Sequence, residues 1–412
     1  MNLFKNPEKY RKQILITSVV LVVIAAAVVL AGVAARFGNS SVHLPDNVSS
    51  VNTDESIGVY TEDVSSVKTN TEASDVEIEV SNTTISDPVS DNSHSTSEPV
   101  FETPHGWVIN QYGYTYVYGD AGYLQFNYKQ TAFDRYVNAV NALDNILPED
   151  IVLYNMIAPV SSTFADIPRE VYTADNFYNL SQNSFENKVK AKLNADIIEI
   201  PVVSVIESLY RSGDPMFFRT DLNWTSQAAY AAYRQFCDAA GINAYAASNF
   251  PSKEYNGFLG SFYTATKSAD MFDDPDVLTC YFPLNAISAV LTVYDSETVF
   301  NEYRPGRETG GYAYDVFLGK CGCERYVIET EVSNGKRLLL IGDSSAYPLS
   351  LLLASHYTKV DIIDPVAYSG SLSELIEKEE YDEVLTVCYS TNAVSGDFIP
   401  SLNKLTGAVK NE

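Results

Sequence analysis

One segment of the chain carries a serine in a position suited to nucleophilic chemistry. Ser344 ends the tripeptide Gly342-Asp343-Ser344, which directly follows the apolar run Leu338–Ile341. In an open α/β sheet, ligands bind at the carboxyl ends of the strands, and backbone N–H groups at the start of the next helix can stabilise an oxyanion. The same tripeptide is also typical of a plain strand-to-helix turn, in which Asp343 accepts backbone N–H bonds and Ser345 caps the helix.

A second segment places a carboxylate, an amide and an indole between a strand and a helix. It reads Asp221-Leu222-Asn223-Trp224 and follows a predicted strand, Met216–Thr220. Alone, it is typical of a helix-capping turn with a packed tryptophan. Both segments follow predicted strands, so both are expected to end on the same rim of one sheet. The carboxylate and the amide should therefore lie next to the serine of the first segment.

Alternating strands and helices predict the elements that position these segments. Apolar periodicity, helix caps and Gly or Pro stops indicate an α/β fold, in which βαβ units build a parallel sheet with flanking helices. The predicted strands are Ile151–Ile157, Arg337–Ile341, Val360–Ile363 and Glu383–Tyr389, and the predicted helices are Phe133–Leu147, Asn187–Leu193, Val202–Tyr210, Thr225–Ala240, Tyr347–Ser355 and Ser371–Glu380. Dense aromatics and glycines between Trp107 and Tyr123 predict a hairpin at the start of the domain.

The N-terminal part of the chain has the composition of a membrane anchor. Residues 14–35 carry no charge and, at about 1.5 Å per residue, span roughly 33 Å as a helix, which matches a bilayer core. Basic residues precede this run, so residues 1–13 are expected in the cytoplasm and the rest of the chain outside it. A cleaved signal peptide is the alternative, with small residues for cleavage at Ala31–Ala35, although its apolar region is normally shorter. Either interpretation places the C-terminal part outside the cytoplasm.

Residues 36–100 are predicted to form a disordered acidic stalk. From Gly38 to Val100 the chain is rich in Ser, Thr, Asn, Asp and Glu, with one Lys and no Trp or Phe. Such a segment cannot bury enough apolar surface to offset the entropy lost on ordering. Aromatic residues become dense from Phe101, so residues 101–412 are the predicted extracytoplasmic domain.

The charge and the cysteines of the chain restrict its partners. A formal net charge of −26 repels phosphate polymers, so no nucleic-acid partner is predicted, whereas neutral glycans and small acyl groups are compatible. Five cysteines are too few and odd in number for a disulfide framework. Cys321 and Cys323 flank a single glycine without a second Cys or His pair nearby, so a local disulfide or two free thiols fit better than a metal site. No metal and no cofactor is predicted.

Two longer blocks of the sequence resemble a known family. Residues Asp221–Gly241, DLNWTSQAAYAAYRQFCDAAG, are similar to the signature of the DHHW-motif protein family of bacterial envelopes, which looks like a branch of the SGNH hydrolase superfamily near the alginate O-acetyltransferase proteins. The block LLLIGDSSAYPLSLLLASHYTKVDIIDP, followed by GSLSELIEKEEYDEVLTV, is similar to the C-terminal part of that family. Gly257–Ser261 and Phe317–Gly319 match its spacing more weakly. The resemblance covers roughly Trp107–Asn392 and implies an SGNH-hydrolase-like fold.

The resemblance implies a role for each residue of the two short segments. Ser344 matches the nucleophile, and Asp221 matches the acid that orients a base. That base is a histidine at the third motif position, where this chain has Asn223. An amide cannot take a proton near neutral pH, and loss of the base from a Ser-His pair costs about 10³–10⁶-fold in rate. Leu222 replaces the other motif histidine, and Tyr347 stands where the family more often has Asn, which removes a candidate oxyanion donor.

The other histidines of the chain are poorly placed to act as the base. His43 and His94 lie in the predicted stalk, and His105 lies just before Trp107, where the resemblance begins. His356 ends the helix after the serine, where the family often has His-Tyr, so a packing role is expected there.

Three functions are compatible with the sequence. The first is a catalytically impaired (pseudoenzyme) domain that binds an envelope glycan or an acyl-transfer partner, such as a membrane-bound acyltransferase, without turnover. The second is an active serine O-acyltransferase or esterase on an envelope polysaccharide, which uses Ser344 and Asp221 with an unusual base. The third is a structural envelope protein without a small-molecule site. In each case a single-pass plasma-membrane protein carrying its domain on the bacterial cell surface is expected.

Reporter fusions test the predicted topology. A reporter that is active only outside the cytoplasm should be active when fused after Tyr60, because the basic residues before Ile14 hold the N-terminus inside. The same reporter fused after Lys12 is the matched control and should be inactive. Cytoplasmic location of the Tyr60 fusion would contradict the anchor.

Overall fold

The computed structural model describes residues 105–110, 113–286, 288–294, 299–301 and 313–407. The predicted cytoplasmic segment 1–13, membrane helix 14–35 and stalk 36–100 lie outside these described residues. Within the described ranges, no helix combines the length and the apolar character needed to cross a bilayer.

A central eight-stranded sheet organises the described part of the chain. In chain order, the described strands are β1 (His105–Asn110), β2 (Gly113–Tyr118), β3 (Ala121–Tyr123), β4 (Val152–Ala158), β5 (Ile198–Ile200), β6 (Ser252–Phe258), β7 (Asp276–Tyr281), β8 (Val290–Tyr294), β9 (Val299–Asn301), β10 (Arg325–Glu329), β11 (Arg337–Gly342), β12 (Lys359–Ile363) and β13 (Glu383–Tyr389). The central sheet has the order β5-β4-β13-β11-β12-β10-β8-β9. Its first five strands pair in parallel, and β10, β8 and β9 continue it in antiparallel pairing.

Helices flank this sheet and begin at residues that suit helix starts. They are α1 (Gln130–Asp144), α2 (Arg169–Ala174), α3 (Gln182–Lys190), α4 (Val203–Arg211), α5 (Ser226–Ala239), α6 (Ser261–Thr266), α7 (Ala269–Asp273), α8 (Ala346–Leu353), α9 (Leu372–Glu379), α10 (Ser390–Val394) and α11 (Phe398–Leu405). The side chains of Ser181, Thr225 and Ser371 each accept a backbone N–H bond at the start of α3, α5 and α9. Helix α1 packs against α10 and α11, and α5 packs against α8.

The predicted α/β fold with a mostly parallel sheet is confirmed. The hairpin predicted between Trp107 and Tyr123 is present as the antiparallel strands β1, β2 and β3. The strand predicted at Met216–Thr220 is wrong, because this stretch makes only an isolated bridge between Phe217 and Trp224. The segment instead turns back on itself, and Thr225 N donates to Met216 O at 3.0 Å.

The elements beside Ser344 are buried on all sides. All seven residues of β13 are buried, and this strand lies between β4 and β11. Helix α8, which follows β11, is buried along its whole length, and accordingly its sequence AYPLSLLL has no polar face. Several small, buried alanines occur in α5, where close packing against α8 is needed. The turn between β11 and α8 is therefore held between rigid elements.

A buried carboxyl group in α3 caps another helix. Glu186 is almost fully buried, and its Oε1 atom accepts from Val202 N at 2.9 Å and Val203 N at 3.1 Å at the start of α4. Burial raises the pKa of Glu186 to about 7, although the two backbone bonds act in the opposite direction. The folded chain therefore holds a proton on this group at pH values where the unfolded chain has lost it.

Stability should consequently fall as the pH rises from the unfolded pKa of Glu186 towards its folded pKa. Below about pH 4.5 both states are protonated, and between about 4.5 and 7 only the unfolded state releases the proton, which costs at most about 3 kcal/mol. Glu186→Gln keeps the acceptor oxygen and removes the ionisation, so urea unfolding across this pH range should show a flatter dependence. The exposed Glu254→Gln is the control. An unchanged slope in Glu186→Gln would show that this group does not titrate with folding.

Candidate functional site

The three residues predicted to converge are in direct contact. Ser344 Oγ donates to Asn223 Oδ1 at 2.7 Å, and Asn223 Nδ2 donates to Asp221 Oδ1 at 2.7 Å. Asp221 and Asn223 are almost completely buried, whereas Ser344 is partly exposed. The chain therefore has the geometry of a serine–base–acid relay in which an amide occupies the position of the base.

The orientation of the Asn223 amide follows from its two neighbours. A carboxylate only accepts hydrogen bonds, so the Nδ2 group must face Asp221. Oδ1 then faces Ser344 and can only accept, which commits the serine hydrogen to this bond. The serine oxygen keeps its lone pairs, but its proton points at a group that is not a base near neutral pH. The arrangement therefore binds the serine hydroxyl through an amide oxygen.

Backbone N–H groups from two loops fix the position of Asp221. Its Oδ1 atom accepts from Asn223 N at 2.9 Å, and its Oδ2 atom accepts from Ser261 N at 2.6 Å. Ser261 Oγ in turn accepts from Leu222 N at 3.1 Å. A Cβ atom on Gly260 would lie 2.3 Å from the Asp221 side chain, so this close approach requires glycine. The glycine-containing segment that matched the family only weakly thus holds the acid.

Carboxylate side chains, rather than a strand, hold the loop that carries Asp221. Asp276 Oδ2 accepts from Thr220 N at 2.8 Å and from Thr220 Oγ1 at 2.7 Å. The preceding residue, Arg219, forms ion pairs with Asp120 and Asp274. Asp120 lies in the β2–β3 turn, Asp274 directly follows α7, and Asp276 is the first residue of β7. The acid therefore reaches the rim of the sheet through side-chain contacts, and not through the strand expected before it.

The turn that carries Ser344 is organised by Asp343. Asp343 Oδ1 accepts from Ser345 N at 2.9 Å and Ser345 Oγ at 2.6 Å, and Oδ2 accepts from Tyr389 N at 2.8 Å and Asn392 Nδ2 at 2.7 Å. The expectation that Asp343 binds backbone N–H groups is confirmed. Ser345 lies directly before α8, but its hydroxyl donates to Asp343 and accepts no backbone N–H of the helix, so its predicted capping role is wrong. Burial raises the pKa of Asp343, and its hydrogen bonds act against that shift.

Tyr389, at the end of β13, joins the two segments. Its backbone N–H donates to Asp343, while its hydroxyl accepts from Trp224 N at 2.9 Å. The rings of Tyr389 and Trp224 also meet edge to face, with centroids 6.0 Å apart. One residue of the central sheet therefore fixes the serine turn with its backbone and the Asp221–Asn223 loop with its side chain.

Sequence reasoning missed two residues that position the site. Tyr389 is the last residue of a predicted strand and lies at the carboxyl-end rim of the sheet, so its position in the sequence could have indicated its role. Asp276 lies 56 positions after Thr220 in the chain, and nothing in the local sequence marks it.

The histidines of the described residues lie away from this relay. His356 Nε2 lies 2.6 Å from the hydroxyl of Tyr233, and its ring stacks on that of Tyr245. Burial lowers the pKa of His356, which agrees with a neutral, packed imidazole. His105 pairs with Asp175 at 3.7 Å. His43 and His94 fall outside the described residues.

A cleft of about 800 Å³ opens beside Ser344 and Asn223. Apolar side chains dominate its lining, and it also contains the thiol of Cys321. Cys321 and Cys323 form no disulfide, so the alternative of a local disulfide does not apply. Burial is the main cause of a raised pKa of the Cys321 thiol, and the nearby Asp315 raises this pKa further. A thiol of this kind is a poor nucleophile, so Ser344 remains the candidate nucleophile of the cleft.

Comparisons with known proteins agree with this architecture. A family model described as DHHW protein matches residues 24–363. A DHHW family protein from Eubacterium siraeum is similar in structure, with 20% identity, coverage of 72% of this chain and 97% of that chain, and a TM-score of 0.61. Bacillus cereus PatB1 is similar in structure, with 19% identity, coverage of 72% of this chain and 99% of that chain, and a TM-score of 0.56. A structure of Bacillus cereus PatB1 with a sulfonyl adduct has 19% identity, coverage of 71% of this chain and 98% of that chain, and a TM-score of 0.54. No curated protein matches the chain.

Removing the hydroxyl of Tyr389 should loosen the link between the two segments. Tyr389→Phe keeps the ring but leaves the buried Trp224 N–H without this acceptor, which should lower the free energy of unfolding by about 1–3 kcal/mol. Urea unfolding of the variant measures the loss. Tyr114→Phe, at a largely exposed tyrosine, is the control and should be neutral. Equal stability of both variants would mean that this hydroxyl does not hold the loop.

Proposed function

We propose a function for this chain, which belongs to the DHHW protein family. Its domain binds an acylated envelope glycan beside Ser344 without turning it over. The observation that carries the proposal is the Asn223 amide between Asp221 and Ser344. On this proposal the chain is a pseudoenzyme within a family related to envelope polysaccharide O-acetylation.

The absence of a base at position 223 supports the lack of turnover. Acyl transfer through serine begins when a base takes the hydroxyl proton while the oxygen attacks the carbonyl carbon. The Asn223 oxygen accepts a hydrogen bond from that hydroxyl but cannot hold the proton. In addition, the backbone amides of Ser345 and Ala346 at the start of α8 donate to Asp343, so neither is a free donor for an oxyanion.

The remaining features of the site support binding. The cleft is large enough for a sugar ring with an acyl group, and its mostly apolar lining suits the acyl methyl group. Since the hydrogen of Ser344 is committed to Asn223, the serine oxygen presents lone pairs that can accept a bond from a sugar hydroxyl. The strong negative charge of the chain favours a neutral glycan over an anionic one.

The proposed location follows from the N-terminal sequence. An uncharged run at residues 14–35 anchors the protein in the plasma membrane, and an acidic stalk at residues 36–100 carries the domain outside the cytoplasm. This location brings the domain to envelope glycans and to membrane-bound acyltransferases, which are the partners we propose.

An active serine O-acyltransferase or esterase is the second candidate. The observation in its favour is that the hydrogen-bond path from Ser344 to Asp221 is intact and that Ser344 is open to the cleft. A structural envelope protein without a small-molecule site has less support, because such a role requires neither a cleft nor a partly exposed serine.

Restoring a base tests the proposal. The wild-type chain should show no Ser344-dependent hydrolysis of p-nitrophenyl acetate and no sulfonyl adduct on Ser344 after treatment with an aryl sulfonyl fluoride. Asn223→His should hydrolyse the ester about 10²-fold faster, which is the low end of a general-base effect. The gain is limited because an imidazole is longer than an amide, and the 2.7 Å contact leaves it little room beside the serine.

Two variants control this experiment. Asn223→Gln has a side chain closer in size to histidine without its basicity and should stay inactive. Ser344→Ala in the Asn223→His background should abolish the gain. Wild-type ester hydrolysis that disappears in Ser344→Ala would overturn the pseudoenzyme and favour the active enzyme.

A further inference from the structure

A second cavity lies on the same rim of the sheet as the relay. It has a volume of about 420 Å³ and is lined by some of the residues in the segment 162–183, which follows β4, together with Glu207. We call it the β4 pocket. None of its lining residues takes part in the relay of Asp221, Asn223 and Ser344.

Gln182 ties the β4 pocket to the end of β13. Its Oε1 atom accepts from Val160 N at 2.9 Å and from the hydroxyl of Ser390, the residue after Tyr389. Its Nε2 atom donates to Val160 O at 2.8 Å. Strands β4 and β11 are separated only by β13, and parallel neighbours lie about 4.8 Å apart, so the two strand ends are about 10 Å apart across the sheet. A short oligosaccharide can span that distance.

Aromatic rings and amides line the β4 pocket. Tyr178 is 45% exposed, and its ring meets that of Tyr172 edge to face at 6.2 Å. Asn179 Oδ1 accepts from Phe126 N at 2.7 Å and Ser162 Oγ at 3.2 Å, which leaves the Nδ2 group as a donor for a ligand. Rings that stack on the apolar face of a sugar, next to amides that bond its hydroxyls, are suited to carbohydrate.

The lining of the β4 pocket carries a single charged side chain, although the chain as a whole is strongly acidic. Of its lining residues, all in the described part of the chain, Glu207 alone is charged. Glu207 Oε1 accepts from Arg211 Nη2 at 2.9 Å, and its Oε2 atom accepts from Asn183 Nδ2 at 2.6 Å. Arg211, which also lies 3.9 Å from Asp166, pairs with this carboxylate, so the lining itself presents no unpaired charge. An uncharged, hydroxyl-rich ligand fits this environment.

We infer that the β4 pocket is a second glycan subsite, which holds a neutral sugar of the same chain whose acylated unit lies beside Ser344. This inference rests on the proposed function, because it takes the glycan at the Ser344 cleft as given. Two subsites on one rim make the protein select an oligomer over a single sugar, since the second contact is intramolecular.

Binding of neutral oligosaccharides to the full-length chain tests the inference. Tetramers of N-acetylglucosamine, glucose and galactose, and the three monomers, serve as probes in calorimetric titrations. At least one tetramer should bind more tightly than its monomer. Tyr178→Ala should weaken that tetramer about tenfold, because the stacking ring is lost, whereas Tyr178→Phe should retain its affinity. Phe272→Ala removes an exposed ring that lines neither cavity and should have no effect.

The two tryptophans of the chain report where the tetramer binds. The Trp107 ring centroid is 5.4 Å from that of Phe177, which lines the β4 pocket, whereas Trp224 is buried beside the relay. A fluorescence change on tetramer binding should therefore shrink in Trp107→Phe. Persistence of the full change in that variant would place the sugar elsewhere and overturn the inference.

Two further outcomes overturn the inference, and both are independent of the pseudoenzyme test. One is that no tetramer binds at millimolar concentration, and the other is that Tyr178→Ala binds the tetramer as the wild type does. The proposed lack of turnover is decided separately by ester hydrolysis at Ser344. If the chain hydrolyses no ester and also fails these binding tests, the pseudoenzyme proposal stands and the second subsite is rejected.

Discussion

The geometry of the candidate site depends on where β13 ends. Gly342, the last residue of β11, pairs with Val387 of β13, so β13 continues beyond the end of β11 and Tyr389 lies level with the serine turn. The Tyr389 backbone then binds Asp343 while its hydroxyl binds the Trp224 amide. A shift of β13 by one residue would turn its side chains to the other face of the sheet and break both contacts. The register of one buried strand thus decides whether the serine and the acid can meet.

Asp221 has a structural role that does not require catalysis. Its carboxylate accepts from Asn223 N, Asn223 Nδ2 and Ser261 N, so it organises its own loop and fixes the loop of Gly260. Removing such a buried acceptor leaves several N–H groups unpaired, which is costly whether or not the protein turns over a substrate. This requirement explains in physical terms how the relay can stay assembled around an amide. An intact arrangement of Ser344, Asn223 and Asp221 is therefore weak evidence for activity.

The sequence contains enough information to predict the sheet, and less to predict what holds the site. Apolar periodicity and strand-end residues predict β11, β13 and the convergence of Asp221, Asn223 and Ser344, all of which the structure contains. Ser344 follows a strand as expected, whereas Asp221 does not, because Met216–Thr220 is not a strand. Asp276 holds this loop instead, and a side-chain contact between residues that are distant in the chain leaves no local pattern to detect. The close approach of Gly260 to Asp221 is likewise invisible until the fold brings the two loops together.

The position of β13 in the chain also affects how the protein folds. This strand lies near the C-terminal end of the chain, yet it is central in the sheet and pairs with β4, from which it is more than two hundred residues distant in sequence. Contacts of such long range are slow to form, because a large loop must close before they contribute any stability. Until β13 has been synthesised, β4 and β11 have no strand between them, and their edges are open to pairing with other chains. The domain therefore completes its fold late, and it depends on protection from aggregation until its last strand is in place.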